Sequence, residues 1–409
     1  MTLKFFPIKT ETACRLKWSW STVYLTHGAT GSCHRASISP LTTDNFDNFH
    51  NLPSKVLARE FMLAGQWPGD GCEYCRDVEA AGGYSDRLFQ ATIPEIYPTE
   101  LDFDKTLTNI APVILEVFFK NTCNLACLYC TEKSSSRIQA ENLKFGKISS
   151  SGSERRDVMQ KNYYDDLIAP FWNWMEKNYH KLKRLQVLGG EPFVQADLLT
   201  LIDFIDTHPN PNLEINIVSN LIINEGRFSE VIGKLILMQE RKRIKNVQIL
   251  ASVESVGPAQ DYVRFGFKQQ TFDTNMEFLL TSQVRVGLLS TINALSIIEM
   301  PTLVEKFNSW NRIRHLEWYL HKVLPVQTHV MSPMHFKYSV WDNAIESTLS
   351  ALPESHLMTK NMLQGLATEL KLSTGNKIAQ QKLIEYLDEI DRRRDTNWEK
   401  VFPWLTEYR

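Results

Sequence analysis

Apolar residues along this chain follow two spacings, and the segments that carry them take turns from about residue 112 onward. Short apolar runs at Val113–Phe119, Leu185–Leu188, Glu214–Val218, Val247–Val253, Val284–Ile292 and His315–Leu320 predict strands. Between them, Tyr163–Tyr179, Leu198–Asp206, Phe228–Gln239, Phe272–Leu280 and Met300–Trp310 place apolar side chains at helical spacing. Each of these is long enough to cross back over a sheet. The alternation predicts an α/β fold with a parallel sheet. Six strand–helix units predict a partial (β/α)6 barrel, smaller than the eight-stranded form. Functional groups on such sheets gather at the C-terminal ends of the strands.

The flanks read differently. Pro94-Glu95-Ile96-Tyr97-Pro98 disfavours helix and central strand and suggests a boundary near residue 100. Three units are expected: 1–100, a small cysteine-bearing module; 101–329, the barrel; and 330–409, a helical extension. Within the last, Lys377–Arg394 has helical periodicity. The Ser-, Lys- and Gly-rich stretch Ser134–Ser153 reads as a mobile surface loop.

Composition narrows the function classes. The chain has 409 residues, 43% hydrophobic and 22% charged, with a formal net charge of −2. Its densest basic run, Arg241-Lys242-Arg243 with Lys245, suits a solvated helix end, so nucleic acid is not the expected partner. No apolar run reaches the roughly 18 residues of a membrane span. The segment Met1–Pro7 lacks the apolar core of a secretory signal. A cytoplasmic location is therefore expected, where seven cysteines favour metal ligation or redox chemistry over disulfides.

Three of those cysteines follow the first barrel strand, in Lys120-Asn121-Thr122-Cys123-Asn124-Leu125-Ala126-Cys127-Leu128-Tyr129-Cys130. Three thiolates on one tight loop suit three irons of a cubane cluster and leave the fourth iron open. A structural zinc site more often uses four ligands in two pairs. The second strand ends in Leu188-Gly189-Gly190-Glu191-Pro192, where two glycines permit close backbone approach and Glu191 offers a carboxylate. The third strand ends in Val218-Ser219-Asn220 and the fourth in Ala251-Ser252-Val253-Glu254-Ser255. Asp261-Tyr262-Val263-Arg264 and Thr271-Phe272-Asp273 follow.

This series resembles the radical S-adenosylmethionine (SAM) enzymes. The resemblance implies a 4Fe–4S cluster on Cys123, Cys127 and Cys130, with SAM chelating the open iron and giving a 5′-deoxyadenosyl radical on reduction. It implies that Tyr129 lies against the adenine, and that Gly189, Gly190 and Glu191 bind the SAM amino group. It further implies that Ser219 and Asn220 line the site, and that Ser252 and Arg264 meet the SAM carboxylate. Relatives often carry Asp-Gly where this chain has Glu254 and Ser255.

The other four cysteines, Cys14, Cys33, Cys72 and Cys75, precede the barrel. With Gly28 between the first two, they resemble the shorter, twitch form of the SPASM/twitch auxiliary-cluster module, here placed ahead of the barrel. That resemblance implies a second 4Fe–4S cluster for electron transfer. Read from the residues alone, four cysteines also suit a structural zinc ion. Trp18, Trp20 and Tyr24 read as packing around the metal.

The expected activity is hydrogen abstraction from an organic substrate, a peptide or protein side chain on family grounds. A low-potential donor such as flavodoxin or ferredoxin would supply the electron. A dehydrogenase or epimerase of a sugar or small metabolite is the alternative within the family, and a zinc-stabilised binding or scaffold protein the alternative outside it. Tyr319, His321 and Lys322, near the last strand, are candidates to face the substrate.

Overall fold

The computed structural model describes residues 11–33, 35–69, 71–80, 85–91, 110–148, 162–323 and 329–409. Eleven strands are formed among them: β1 (Trp20–Tyr24), β2 (Ala29–Gly31), β3 (Ser39–Pro40), β4 (Ile114–Phe118), β5 (Ala126–Cys127), β6 (Arg184–Leu188), β7 (Asn210–Ser219), β8 (Ile244–Ser252), β9 (Arg264–Phe265), β10 (Arg285–Ile292) and β11 (Glu317–Lys322).

Nine of these make one sheet in the order β11-β10-β8-β7-β6-β4-β1-β2-β3. From β4 to β11 all five neighbouring pairs are parallel. The six expected barrel strands are therefore present in sequence order along a parallel sheet. Helices Tyr164–Asn178, Ala196–Thr207, Glu225–Glu240, Gln269–Thr281 and Met300–Ile313 separate them, as their periodicity predicts. Strands in such a sheet are covered on both faces, which is why they read as apolar runs. Val117, Val187, Ile217, Ile249 and Leu288, one on each of β4, β6, β7, β8 and β10, are all fully buried.

The cysteine-bearing N-terminal segment shares this sheet. Strand β1 pairs parallel with β4 over Trp20↔Ile114 to Tyr24↔Phe118, and β2 and β3 continue the sheet antiparallel. The edge of β4 would otherwise leave backbone groups unpaired, and β1 satisfies them. The segment thus continues the parallel sheet, where a module of its own over 1–100 is expected. The proline segment expected to mark the boundary lies outside the described residues.

One expectation is corrected. Much of Ser134–Ser153 is a helix, Ser136–Phe145, and not a loop. Ser135 caps it, accepting from the Ile138 N–H at 3.3 Å while donating to the Leu125 carbonyl at 2.8 Å. Serine in this stretch reflects capping and not mobility. The expected tail helix Lys377–Arg394 is formed over those bounds. Among the described residues no helix is long and apolar enough to cross a membrane.

Replacing Ser135 by Ala removes both bonds. Stability should fall by about 1–2 kcal/mol, read as a lower urea midpoint at unchanged slope. An unchanged midpoint would show that the cap contributes nothing.

Candidate functional site

The loop from Asn121 to Cys130 has little regular structure, and its shape is imposed by the strand ends around it. Gly190 has φ +57°, and a Cβ there would lie 2.1 Å from the Thr122 carbonyl oxygen. Gly189 has φ +85°, and its Cβ would meet the Phe118 ring at 2.6 Å. Only glycine lets the end of β6 touch the loop this closely. The contact is then locked by backbone bonds, Glu191 N–H to the Thr122 carbonyl at 2.8 Å and Gly190 N–H to the Ser134 carbonyl at 3.2 Å.

Gln195 completes this clasp. It is buried, and its amide donates to the carbonyls of Lys120, Thr122 and Gly189 at 3.2, 3.2 and 2.8 Å. Its oxygen accepts from the Lys120 N–H at 3.1 Å. Nothing in the sequence marks this residue, because a lone Gln after a glycine turn carries no motif.

The end of β7 grips the loop from another side. Asn220 Nδ2 donates to Asn124 Oδ1 at 2.8 Å. Glu191, 1% exposed, accepts from Ser219 Oγ at 2.8 Å, the Asn220 N–H at 2.7 Å and the Phe193 N–H at 3.2 Å. Residues expected to bind SAM thus also bind one another. Burial pushes the Glu191 carboxyl up to about 7, against the pull of those three donors.

The far end of the loop is a short ladder. β5 pairs antiparallel with β9, with Cys127 opposite Arg264. Arg264 Nε and Nη2 donate to Glu254 at 2.6 and 2.5 Å, and its Nη1 lies 3.8 Å from Cys127 Sγ. Glu254 also accepts from Tyr129 Oη at 2.9 Å and the Thr291 N–H at 3.1 Å. Arg264 is expected to meet the SAM carboxylate; its fork is instead filled by Glu254, and Tyr129 is tied to the same carboxylate. Ser252 is buried at the end of β8, just ahead of this network.

Among the three thiols, Cys127 is buried and Cys123 and Cys130 half-buried. Burial pushes Cys123 and Cys127 above the ordinary thiol range, and the neighbouring Cys127 adds to the rise at Cys123. The tail helix covers the loop's outer side: Tyr386 Oη donates to the Leu128 carbonyl at 2.6 Å.

Cys14, Cys33, Cys72 and Cys75 line one cavity together with Lys17 and Trp67. Gly71, at φ +94°, approaches the Arg35 carbonyl so closely that a Cβ would sit 2.1 Å from it, which brings the Cys72 segment against the Cys33 segment. Cys33 Sγ accepts from the N–H groups of Arg35 and Ala36, both at 3.4 Å. Lys17 is buried, donates to Ser32 Oγ at 2.8 Å and faces the Cys72 thiol. Burial raises Cys14 to about 12 and Cys75 to about 11. Trp18 and Trp20 pack with Cys14 and Cys72 in a small separate core, while Tyr24 lies tilted against Phe118, ring centroids 4.5 Å apart. Gly28, at φ +59°, makes the turn between β1 and β2.

Among the described residues no three His, Cys, Asp or Glu side chains converge to hold a metal ion as they stand. The donor chemistry still fits thiolate-bound metal. Four thiols share one cavity, two N–H groups aim at a sulfur, and the buried Lys17 would offset the charge of thiolates formed there. Near the last strand, Lys322 donates to Glu369 at 2.6 Å and to Tyr74 Oη at 2.5 Å, while Tyr319 bonds to Glu317. Lys322 and His321 line a cavity with Tyr74 and Arg35.

No protein-family model matches the chain, and no curated protein matches its sequence. Among solved structures it is similar to Streptococcus suis SuiB bound to the precursor peptide SuiA, with 11% identity and a TM-score of 0.39. That match covers 71% of this chain and 61% of the other, so the chain spans less than two thirds of SuiB's length there. A second SuiB structure gives 10% identity, a TM-score of 0.39, and coverage of 87% of this chain and 69% of that one. TYW1 with a lysine-pyruvate adduct bound gives 16% identity, a TM-score of 0.30, and coverage of 58% and 70%. Likenesses this loose decide nothing about the chain's chemistry.

Glu191→Ala would strand three donors, so it should cost about 2–4 kcal/mol of folding stability. The loss should depend on pH. From the ordinary carboxyl value of 4.5 to about 7, the folded chain keeps a proton that the unfolded chain releases. Wild-type stability therefore falls as pH rises through that window, and the variant lacks this slope. The gap between the two, measured by urea unfolding, should narrow from pH 4.5 to pH 7. A constant gap would show that Glu191 is ionised throughout.

Proposed function

We propose that the chain is a radical SAM enzyme. The observation that carries this reading is the Cys123–Cys130 loop at the C-terminal end of β4, clasped by Gly189, Gly190 and Glu191 at the end of β6. A three-cysteine loop and a glycine–glycine–glutamate turn are distant in sequence, and the sheet places them in contact. Cys123, Cys127 and Cys130 would hold a 4Fe–4S cluster with one iron open to SAM. When bound, the pair supplies a 5′-deoxyadenosyl radical that takes hydrogen from an organic substrate.

The chain's own residues position that chemistry. Gly189 and Gly190 leave the backbone bare beside the loop. Glu191 offers a buried carboxylate whose field reaches Cys123, and an ammonium brought against it would favour its charged form. Ser219 and Asn220 hold Glu191 in place. The buried thiols must lose protons before they ligate, so loading is favoured by higher pH.

Cys14, Cys33, Cys72 and Cys75 would hold a second 4Fe–4S cluster that relays electrons. Four thiols leave no iron open, and the buried Lys17 offsets the charge of a thiolate-bound group.

Two measurements test this reading. Anaerobically reconstituted wild type should contain about eight irons and eight sulfides per chain, two cubanes. Four irons plus one tightly held zinc would exclude the second cluster. Replacing Cys123, Cys127 and Cys130 together by Ala should abolish 5′-deoxyadenosine formation from SAM and dithionite while the N-terminal metal stays bound. Nucleoside formation by that variant would sink the assignment.

A further inference from the structure

Cys127, Arg264, Glu254 and Tyr129 close a ring. The β5–β9 ladder sets Cys127 directly opposite Arg264, and Leu128 N–H donates to the Val263 carbonyl at 2.9 Å to hold that register. A guanidinium has two usable edges. One edge of Arg264, Nε and Nη2, is held side-on by Glu254 at 2.6 and 2.5 Å. The remaining nitrogen, Nη1, is thereby aimed at Cys127 Sγ, 3.8 Å away. Glu254 cannot swing off, because Tyr129 Oη and the Thr291 N–H also bind it, at 2.9 and 3.1 Å. Tyr129 stands two residues after Cys127, so the ring returns to the loop from which it started. Glu254 is 0% exposed and Arg264 7%. In such a site one charge acts on the next with little screening.

We infer that the Arg264–Glu254 pair is a positioning device that sets the electron density on the Cys127 sulfur, and through it the reduction potential of the cluster this loop would hold. The inference rests on the radical SAM reading above. Hydrogen bonds to ligand sulfurs and nearby charge are two of the levers that set a cluster's potential. Arg264 would favour the reduced, more negative cluster. Glu254 would moderate that effect by compensating the guanidinium. The two residues must therefore act in opposite directions.

The test is an EPR-monitored redox titration of the anaerobically reconstituted full chain. The signal that changes on adding SAM identifies the cluster on the three-cysteine loop. Arg264→Lys keeps the charge but cannot serve both partners, so the donor to sulfur is lost. Its reduction equilibrium should fall about tenfold, a shift of about 59 mV to lower potential for a one-electron couple. Glu254→Gln keeps the shape and removes the compensating charge, so its potential should rise. The double variant Arg264→Met/Glu254→Gln leaves no buried charge unpaired and guards against misfolding of either single change. It should lie below wild type. A SAM-responsive cluster whose potential stays put in all three variants, or moves the same way in both singles, overturns this role alone. A wild-type chain with no such cluster on the loop overturns the radical reading and this role with it.

Discussion

Two stretches of backbone meet at Gly190 and Thr122 with no side chain between them, and the site is built around that meeting. The loop that carries three cysteines has only the two-residue strand β5 for regular structure. Its conformation must be supplied from outside. A Cβ at position 190 would fall 2.1 Å from a carbonyl oxygen that belongs to rigid backbone, so neither partner could yield cheaply. Once the approach is made, the Glu191 N–H reaches Thr122 and the Gln195 amide gathers three carbonyls. The glycines therefore act first by bringing the loop home, and only then can they serve a ligand.

Much of this architecture was legible because parallel strands covered on both faces leave continuous apolar runs, and crossover helices leave a 3.6-residue stripe. Six of the strands and five of the helices after residue 112 follow from those patterns. What escaped was nonlocal or disguised. Nothing in Trp20–Tyr24 announces that it pairs with Ile114–Phe118, since an edge pairing is a property of two segments. Ser135 and Ser136 look like loop residues by composition, yet one caps a helix and the other bonds to Cys123.

The candidate site was legible in location and less so in wiring. Glu191, Ser219, Asn220 and Arg264 all lie at strand ends beside the cysteine loop, as their motifs imply. A motif names a residue type and a place, and does not name the partner. Glu254 illustrates the difference. Its carboxylate reaches the fork of Arg264 and removes two of that residue's donor positions from any incoming carboxylate. Glu191 likewise has its three acceptor contacts filled from within the chain. Two buried carboxylates thus hold the walls of the site together, and any ligand must bind beside or in exchange for those contacts.

The same logic explains why the C-terminal extension, which carries no recognisable motif, touches the loop at all. Three thiols on one short loop do not organise themselves, because each is costly to ionise in a dry setting and they repel one another once ionised. Such a loop needs walls supplied by the chain around it. The ends of β6 and β7 provide two, and the β5–β9 ladder a third. The remaining side is closed by helix Lys377–Arg394, through Tyr386 on the Leu128 carbonyl and Arg394 on Glu141 of helix Ser136–Phe145. Tyr262 adds a bond to Asp391, so the segment leading to Arg264 and the tail are also joined to each other. Cysteine spacing fixes which residues can meet; five separate stretches of chain fix how they meet.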